Sequence, residues 1–280
     1  MRFSSLALFG SALLVAASAS ACRIEAHSQT QFEDSSQPAK TSVMDWTGQP
    51  IKITNGGVNP LTGTGGVEVT ASATATKITV SAVFAARADD DKKADADATI
   101  KDALATLVIT ESANGFDIAC GHGGAHGTSN VASSGCKLLR VTIPAGSATQ
   151  PLDLTVGNGN GDIRVAQSGD TPTVKNLLVD DNGSGDVAVR TSTVPGATVV
   201  VRGENAVTLA LPSDFSSNMV SLLVNEDDAT KAFARLHTDF TGLISGMPYP
   251  LAGATATAIA SLTVKSNGLL SDDTLTISKF

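Results

Sequence analysis

The chain has 280 residues, 42% of them hydrophobic and 4% aromatic, with a formal charge of −8. A chain this long and apolar can bury a sizeable core, which excludes disorder throughout, and the scarcity of rings favours thin β layers of Val, Leu, Ile, Thr and Ala. The acidic balance disfavours DNA, RNA and anionic lipid as partners, so no nucleic-acid role is expected.

The N-terminus reads as a targeting segment over residues 1–21. Met1-Arg2 is a short positive start, Leu6 to Ala17 an apolar run, and Ala19-Ser20-Ala21 a small-residue cleavage context. The apolar run is too short for a stable membrane-spanning helix. Cys22 follows directly, and Ala-Ser-Ala-Cys resembles a bacterial lipobox, with Ala19 where that motif prefers Leu. The resemblance implies lipidation at Cys22 and, because Arg23 follows, sorting to the outer membrane. Each buried acyl methylene contributes ~0.8 kcal/mol, so a multiply acylated Cys22 would hold the chain on a membrane. Ordinary secretion with a free cysteine is the other reading. A mature chain starting at Cys22 loses Arg2 and no acid, which takes its charge to −9.

Residues 22–45 are rich in Ser, Gln, Glu and Thr and read as the lipidated cysteine followed by a flexible tether. The folded domain is expected over 46–280. Trp46, the only tryptophan, reads as a core or end-cap residue. Ile51-x-Ile53, Asn55-Gly56, Val67-x-Val69 and Ile78-x-Val80 alternate as half-buried strands do, with an Asn-Gly turn among them.

Between Asp89 and Asp97 the chain becomes acidic, and Ile100, Ala103, Leu104 and Leu107 follow at helical spacing. One short amphipathic helix with acids at its N-terminal end is predicted. The acids Asp89, Asp90, Asp91, Asp95 and Asp97 lack the Gly and bidentate Glu of a calcium loop, so a solvated helix entrance is the plainer reading. Val108–Thr110 and Phe116–Ala119 then read as a strand pair. Cys120 and Cys136 bracket a Gly- and Ser-rich excursion, and in an exported protein two cysteines most simply form a disulfide. Cys120, His122, His126 and Cys136 could instead hold a metal, but C-x-H-x3-H-x9-C matches no common zinc spacing.

Residues 152–211 carry one pattern three times. Leu152, Leu154 and Val156 precede Gly157 to Asp162, then Ile163 and Val165. Leu177 and Val179 precede Asp180 to Asp186, then Val187 and Val189. Val199 and Val201 precede Arg202 to Asn205, then Val207, Leu209 and Leu211. Asp162, Asp186 and Ala206 are the equivalent positions. A single such unit cannot bury its own apolar face, whereas stacked units bury one another's. The predicted fold is therefore all-β, an irregular β-solenoid with one short inserted helix; an antiparallel β-sandwich is the alternative, since periodicity does not separate the two.

These turns, the Val207-Thr208-Leu209-Ala210-Leu211-Pro212 run and Ser266-Asn267-Gly268 before a last strand resemble the putative-adhesin domain family of bacterial surface and secreted proteins. The resemblance covers about residues 46–280. It implies a β-solenoid with irregular rungs, a role in surface binding, and no catalytic residues.

After Pro212 the chain passes through Phe215, Val220, Leu222 and Val224, and Ala232, Phe233 and Leu236 read as a helical turn. His237 reads as a surface residue. Leu262-x-Val264 and Leu275-x-Ile277 are expected to make the last turn. The Gly-x-Gly-x-Gly of 157–161 is neither a dinucleotide fingerprint nor a P-loop, because no Lys-Ser/Thr follows and a strand comes next. No cofactor motif is present, and none is expected. Stacked turns could place Asp162, Asp181 and Asp186 on one face for acid–base cleavage of a glycosidic bond. Turn formation itself also selects Asp there. The reading from sequence is a non-enzymatic, lipid-anchored envelope protein that displays a face to an extracellular or envelope macromolecule, with a structural spacer or a polysaccharide-cleaving enzyme as alternatives.

Overall fold

A computed structural model describes residues 29–33, 40–56, 65–123, 131–215, 219–224, 233–236, 238, 261–266 and 274–280. In chain order the elements are β1 (Gln29–Glu33), β2 (Lys40–Asp45), β3 (Ile51–Asn55), β4 (Gly66–Ser72), β5 (Lys77–Asp89) and the helix α1 (Lys93–Ala103). Next come β6 (Leu107–Ser112), β7 (Gly115–Cys120), β8 (His122–Gly123), β9 (Val131–Pro144), β10 (Leu152–Asn158), β11 (Ile163–Gly169) and β12 (Thr173–Asp181). The chain continues through β13 (Val187–Arg190), β14 (Ser192–Gly203), β15 (Val207–Leu211), β16 (Met219–Val224), β17 (Phe233–Leu236), β18 (Ser261–Ser266) and β19 (Thr274–Lys279). The predicted all-β character and single short helix are both observed.

The strands form two mixed sheets. A major sheet of eleven runs β1-β5-β9-β4-β11-β13-β15-β19-β17, with β2 also on β5 and β8 on β9. A minor sheet of eight runs β16-β18-β14-β12-β10-β3-β7-β6. Neither closes into a barrel. Each pass of the repeat leaves the minor sheet, turns a Gly- or Asn-bearing corner and enters the major sheet: β3 to β4, β10 to β11, β12 to β13, β14 to β15. Equivalent strands pair in parallel and in register, so Ile53, Val156, Val179 and Val201 form one buried column and Val67, Ile163, Val187 and Val207 another. Each such side chain contributes about 1.5–3 kcal/mol by its burial. The two faces share one core, as a sandwich reading also requires, but the ladders of the repeat are parallel.

Among the described residues the antiparallel ladders are those of β1, β2 and β8, which edge the long β5 and β9, of β5 with β9, and of the hairpin of β6 with β7; Ala71 and Asp170 add one isolated antiparallel bridge. The segment read as a tether therefore supplies β1 and β2. An edge strand needs only backbone bonds to one neighbour, so its polar composition hid it. Helix α1 packs Ala96, Ile100 and Ala103 into the core; Asp95 lies in its first turn and Leu107 begins a strand. Trp46 packs half-buried against the core and donates its Nε1–H to the Gln49 carbonyl at 2.8 Å.

Two expectations change near the C-terminus. Phe233–Leu236 is a strand, because parallel pairing with β19 outweighs the helical spacing of three apolar residues. The coil of β18 and β19 is last in sequence but not in space: it lies between β14/β15 and β16/β17, paired in parallel on both sides. The same inversion occurs at the other end, where β3 and β4 lie between β7/β9 and β10/β11. His237 lies outside the described residues.

Candidate functional site

At the corner where minor-sheet strands end, one inward column crosses the stack. Cys120, Asn55, Asn158 and Asp181 are register partners in that order, each no more than 4% exposed. Each secures the corner by different chemistry. Cys120 forms a disulfide with Cys136 of β9, with Cα atoms 5.9 Å apart. Asn55 donates Nδ2–H to the Gly66 carbonyl at 2.9 Å. Asn158 donates to the carbonyls of Gly65 at 2.8 Å and Gly161 at 2.6 Å. Asp181 accepts from the Gly183 and Gly185 amides at 3.1 and 3.2 Å. Burial pushes its carboxyl up to about 6, with the charges of Glu204 and Asp162 adding to this and the two amide bonds opposing it.

The sequence reading treated these residues as turn formers. Their parity carried a further signal: Ile51, Ile53, Asn55 and Leu154, Val156, Asn158 and Leu177, Val179, Asp181 each continue an inward alternation by one polar step. The glycines beside them are sites of close approach. Gly161 has φ +96°, and a Cβ on Gly185 would overlap the Gly161 carbonyl.

The corner hydrogen bonds bear out the proposed equivalence of Asp162, Asp186 and Ala206, whose carbonyls accept from Val67, Ile163 and Val187 respectively. Asp162 Oδ1 accepts from the Asp186 amide at 3.1 Å and its Oδ2 from Arg164 at 2.9 Å. Asp181 instead faces the buried corner, so the three carboxylates suggested for glycosidic chemistry do not share one open face.

The disulfide uses both sulfurs that the metal reading required. His122 begins β8, while His126 lies outside the described residues. The acids of this run are engaged locally: within α1 Lys93 pairs with Asp97 at 2.6 Å, and before it Lys92 pairs with Asp91 at 3.1 Å. Among the described residues no cluster of three or more His, Cys, Asp or Glu side chains is arranged to hold a metal ion. Cys22 lies outside the described residues.

The outer side of the minor sheet carries a concave feature. Asp117, Lys52, Thr155, Leu178 and Val200 occupy one register row across β7, β3, β10, β12 and β14. They line a groove of about 570 Å³, walled at one end by the Ser112–Gly115 turn. Lys52 Nζ meets Asp117 Oδ2 at 3.3 Å, and Asn176 Nδ2 donates to Asp153 Oδ1 at 2.6 Å. Asp117 Oδ1 is buried without a hydrogen-bond partner. The outer side of the major sheet has a smaller hollow of about 360 Å³, where Arg140 pairs with Glu68 at 3.1 Å and Arg164 with Asp162.

No protein-family model matches the chain, and no curated protein sequence does. Among solved structures, one described as a putative adhesin from Bacteroides fragilis NCTC 9343 is similar at 12% identity and a TM-score of 0.26, over 86% of this chain and 97% of that one.

Proposed function

We propose that the chain is a non-enzymatic, lipid-anchored envelope protein whose parallel coils form an irregular β-solenoid that displays an outer face to a macromolecule. The observation that carries this reading is the register. After one irregularity near the start of β10 and β12, equivalent strands keep a continuous register over 51–55, 154–158, 177–181 and 199–202, so outward side chains there fall into straight rows that an extended partner can follow. The sequence of residues 1–22 supports export and acylation at Cys22. In that case only six residues separate the anchor from β1, a reach of about 25 Å at full extension. The domain would then stand close to the membrane with its N-terminal edge, leaving the coils of β16 to β19 farthest away.

Mass spectrometry of the protein extracted from cells tests the anchor: an acylated N-terminal Cys22 is expected, and an unmodified one overturns it. Protease treatment of intact cells tests display. Cleavage of the folded domain is expected for outer-surface exposure, and full protection limits the domain to the periplasm. A saturable partner recovered from envelope extracts separates display from a spacer role.

A further inference from the structure

We propose that the groove on the outer side of the minor sheet binds a neutral oligosaccharide. This assignment rests on the display reading and names the ligand chemistry for one of its faces.

Charge comes first. The charged side chains lining the groove are Lys52 and Arg202 against Asp117 and Asp153, which balance. Neither a polyanion nor a polycation gains a net Coulombic attraction there, so the fitting ligand is uncharged and hydrogen-bonding. The second observation is the Asp117 carboxylate. Its Oδ2 is held by Lys52, while Oδ1 is buried with no donor. The side chain is half-exposed at the groove, so Oδ2 is the oxygen that a ligand hydroxyl reaches, and beside Lys52 it keeps a lone pair with which to accept.

The third observation is preorganisation. Asn176 and Asp153 are tied to each other across two coils, and Lys52 and Asp117 across two more. Both pairs present planar or fixed polar groups with donor and acceptor capacity to spare, which suits adjacent hydroxyls on a ring. Leu178 and Val200 supply half-buried aliphatic floor against which the C–H face of a sugar can rest. At about 570 Å³ the groove falls within the usual range for a small-ligand site.

An extended peptide fits less well. Strand addition needs an open edge, and β3, β10, β12 and β14 are each paired on both sides.

The test is calorimetric titration of the detergent-solubilised full chain with cello-, xylo-, malto- and chito-hexaoses, and with trigalacturonate as the anionic probe. At least one neutral hexaose is expected to bind. Asn176→Ala and, separately, Asp117→Ala should weaken that binding by about tenfold or more. Glu68→Gln on the opposite sheet should leave it unchanged. Asn176 is exposed, so its variant should keep the parental unfolding midpoint and fold normally. The proposal is overturned if no neutral hexaose binds, if only trigalacturonate does, or if binding is indifferent to both groove variants. Such a failure leaves acylation at Cys22 and protease accessibility on cells untouched, and those decide the display reading separately.

Discussion

The middle of the stack and its N-terminal end solve one problem by different means. From β10 to β15 every coil is covered on both sides by a coil like itself. The corner there needs only glycine, one buried amide or carboxylate, and apolar residues in register. Beyond β7 and β9 the described residues add no further equivalent coil, and an open core there would face water. There the chain abandons parallel pairing. It uses a 13-residue β5 and a 14-residue β9 in antiparallel contact, lays α1 over the exposed apolar side chains, and replaces the corner amide with the Cys120–Cys136 disulfide. Repetition is self-supporting only where it has neighbours, and termination needs separate devices.

The inverted order of coils at both ends sharpens this contrast. A terminal coil in a simple stack frays because one side is open. Here the last coil in sequence, β18 and β19, is enclosed between two others. Deleting 261–280 should therefore remove the strands that β16 and β17 pair with, and expose β14 and β15. We expect the largest loss of any change considered: protein that is insoluble or that shows no cooperative unfolding transition. If the shortened chain melts within a few degrees of the parent, enclosure of the last coil contributes little.

Within the repeat, Gly185→Ala is next in size. The new Cβ would overlap the backbone carbonyl of Gly161, which cannot move without displacing its own coil. A loss of roughly 3–5 kcal/mol is expected by urea unfolding, as for other changes that force backbone overlap. Gly121→Ala is the comparison at the end of the stack, since a Cβ there would meet nothing nearer than 3.7 Å. It should cost under about 1 kcal/mol.

Replacing both Cys120 and Cys136 by Ala addresses the end device directly. The bridge closes a loop with a sequence separation of 16, for which the chain-entropy treatment gives roughly 3 kcal/mol. Hydrogen exchange should show the loss of protection concentrated in 115–144, with 152–211 nearly unchanged. Uniform loss across both regions would mean that the end and the middle unfold as one unit, and the contrast drawn above would not hold energetically.

How far the sequence foretold this molecule depends on the same contrast. In the middle, alternation and the Asn-Gly-bearing corners were legible because each repeat states its own geometry. The equivalence of Asp162, Asp186 and Ala206 emerges in the hydrogen bonds as it was read. The hairpin of β6 with β7, the helix and the disulfide were also legible, since each rests on a local or pairwise signal. What was hidden is non-local. Nothing in Leu262-x-Val264 states that it inserts before β16, and the polar residues of β1 and β2 reveal their pairing only when β5 is beside them. Ala232, Phe233 and Leu236 suit either period, and only the neighbouring β19 decides between them. The outer groove was hidden for a related reason: Lys52, Asp117, Asp153 and Asn176 span 125 positions of sequence and meet only through strand register.

The one predicted gain in stability concerns Asp181, the carboxylate that occupies a place given to amides in Asn55 and Asn158. Its ordinary value of 3.8 rises to about 6 in the folded chain, so the folded state holds this proton more tightly than the unfolded one. Stability from this group is complete below about 4 and is lost as pH rises through about 6. Above that, the ionised form costs on the order of 3 kcal/mol relative to the protonated one. Asn removes that cost but accepts only one of the two amide bonds that Asp181 receives, a loss of about 1.5 kcal/mol. Asp181→Asn should thus gain about 1–2 kcal/mol over the parent at pH 8 and lose that advantage at pH 4. Paired thermal melts across this range check it. A stability difference independent of pH would show that the carboxylate is ionised at both ends of the range, held by the Gly183 and Gly185 amides against the effect of burial.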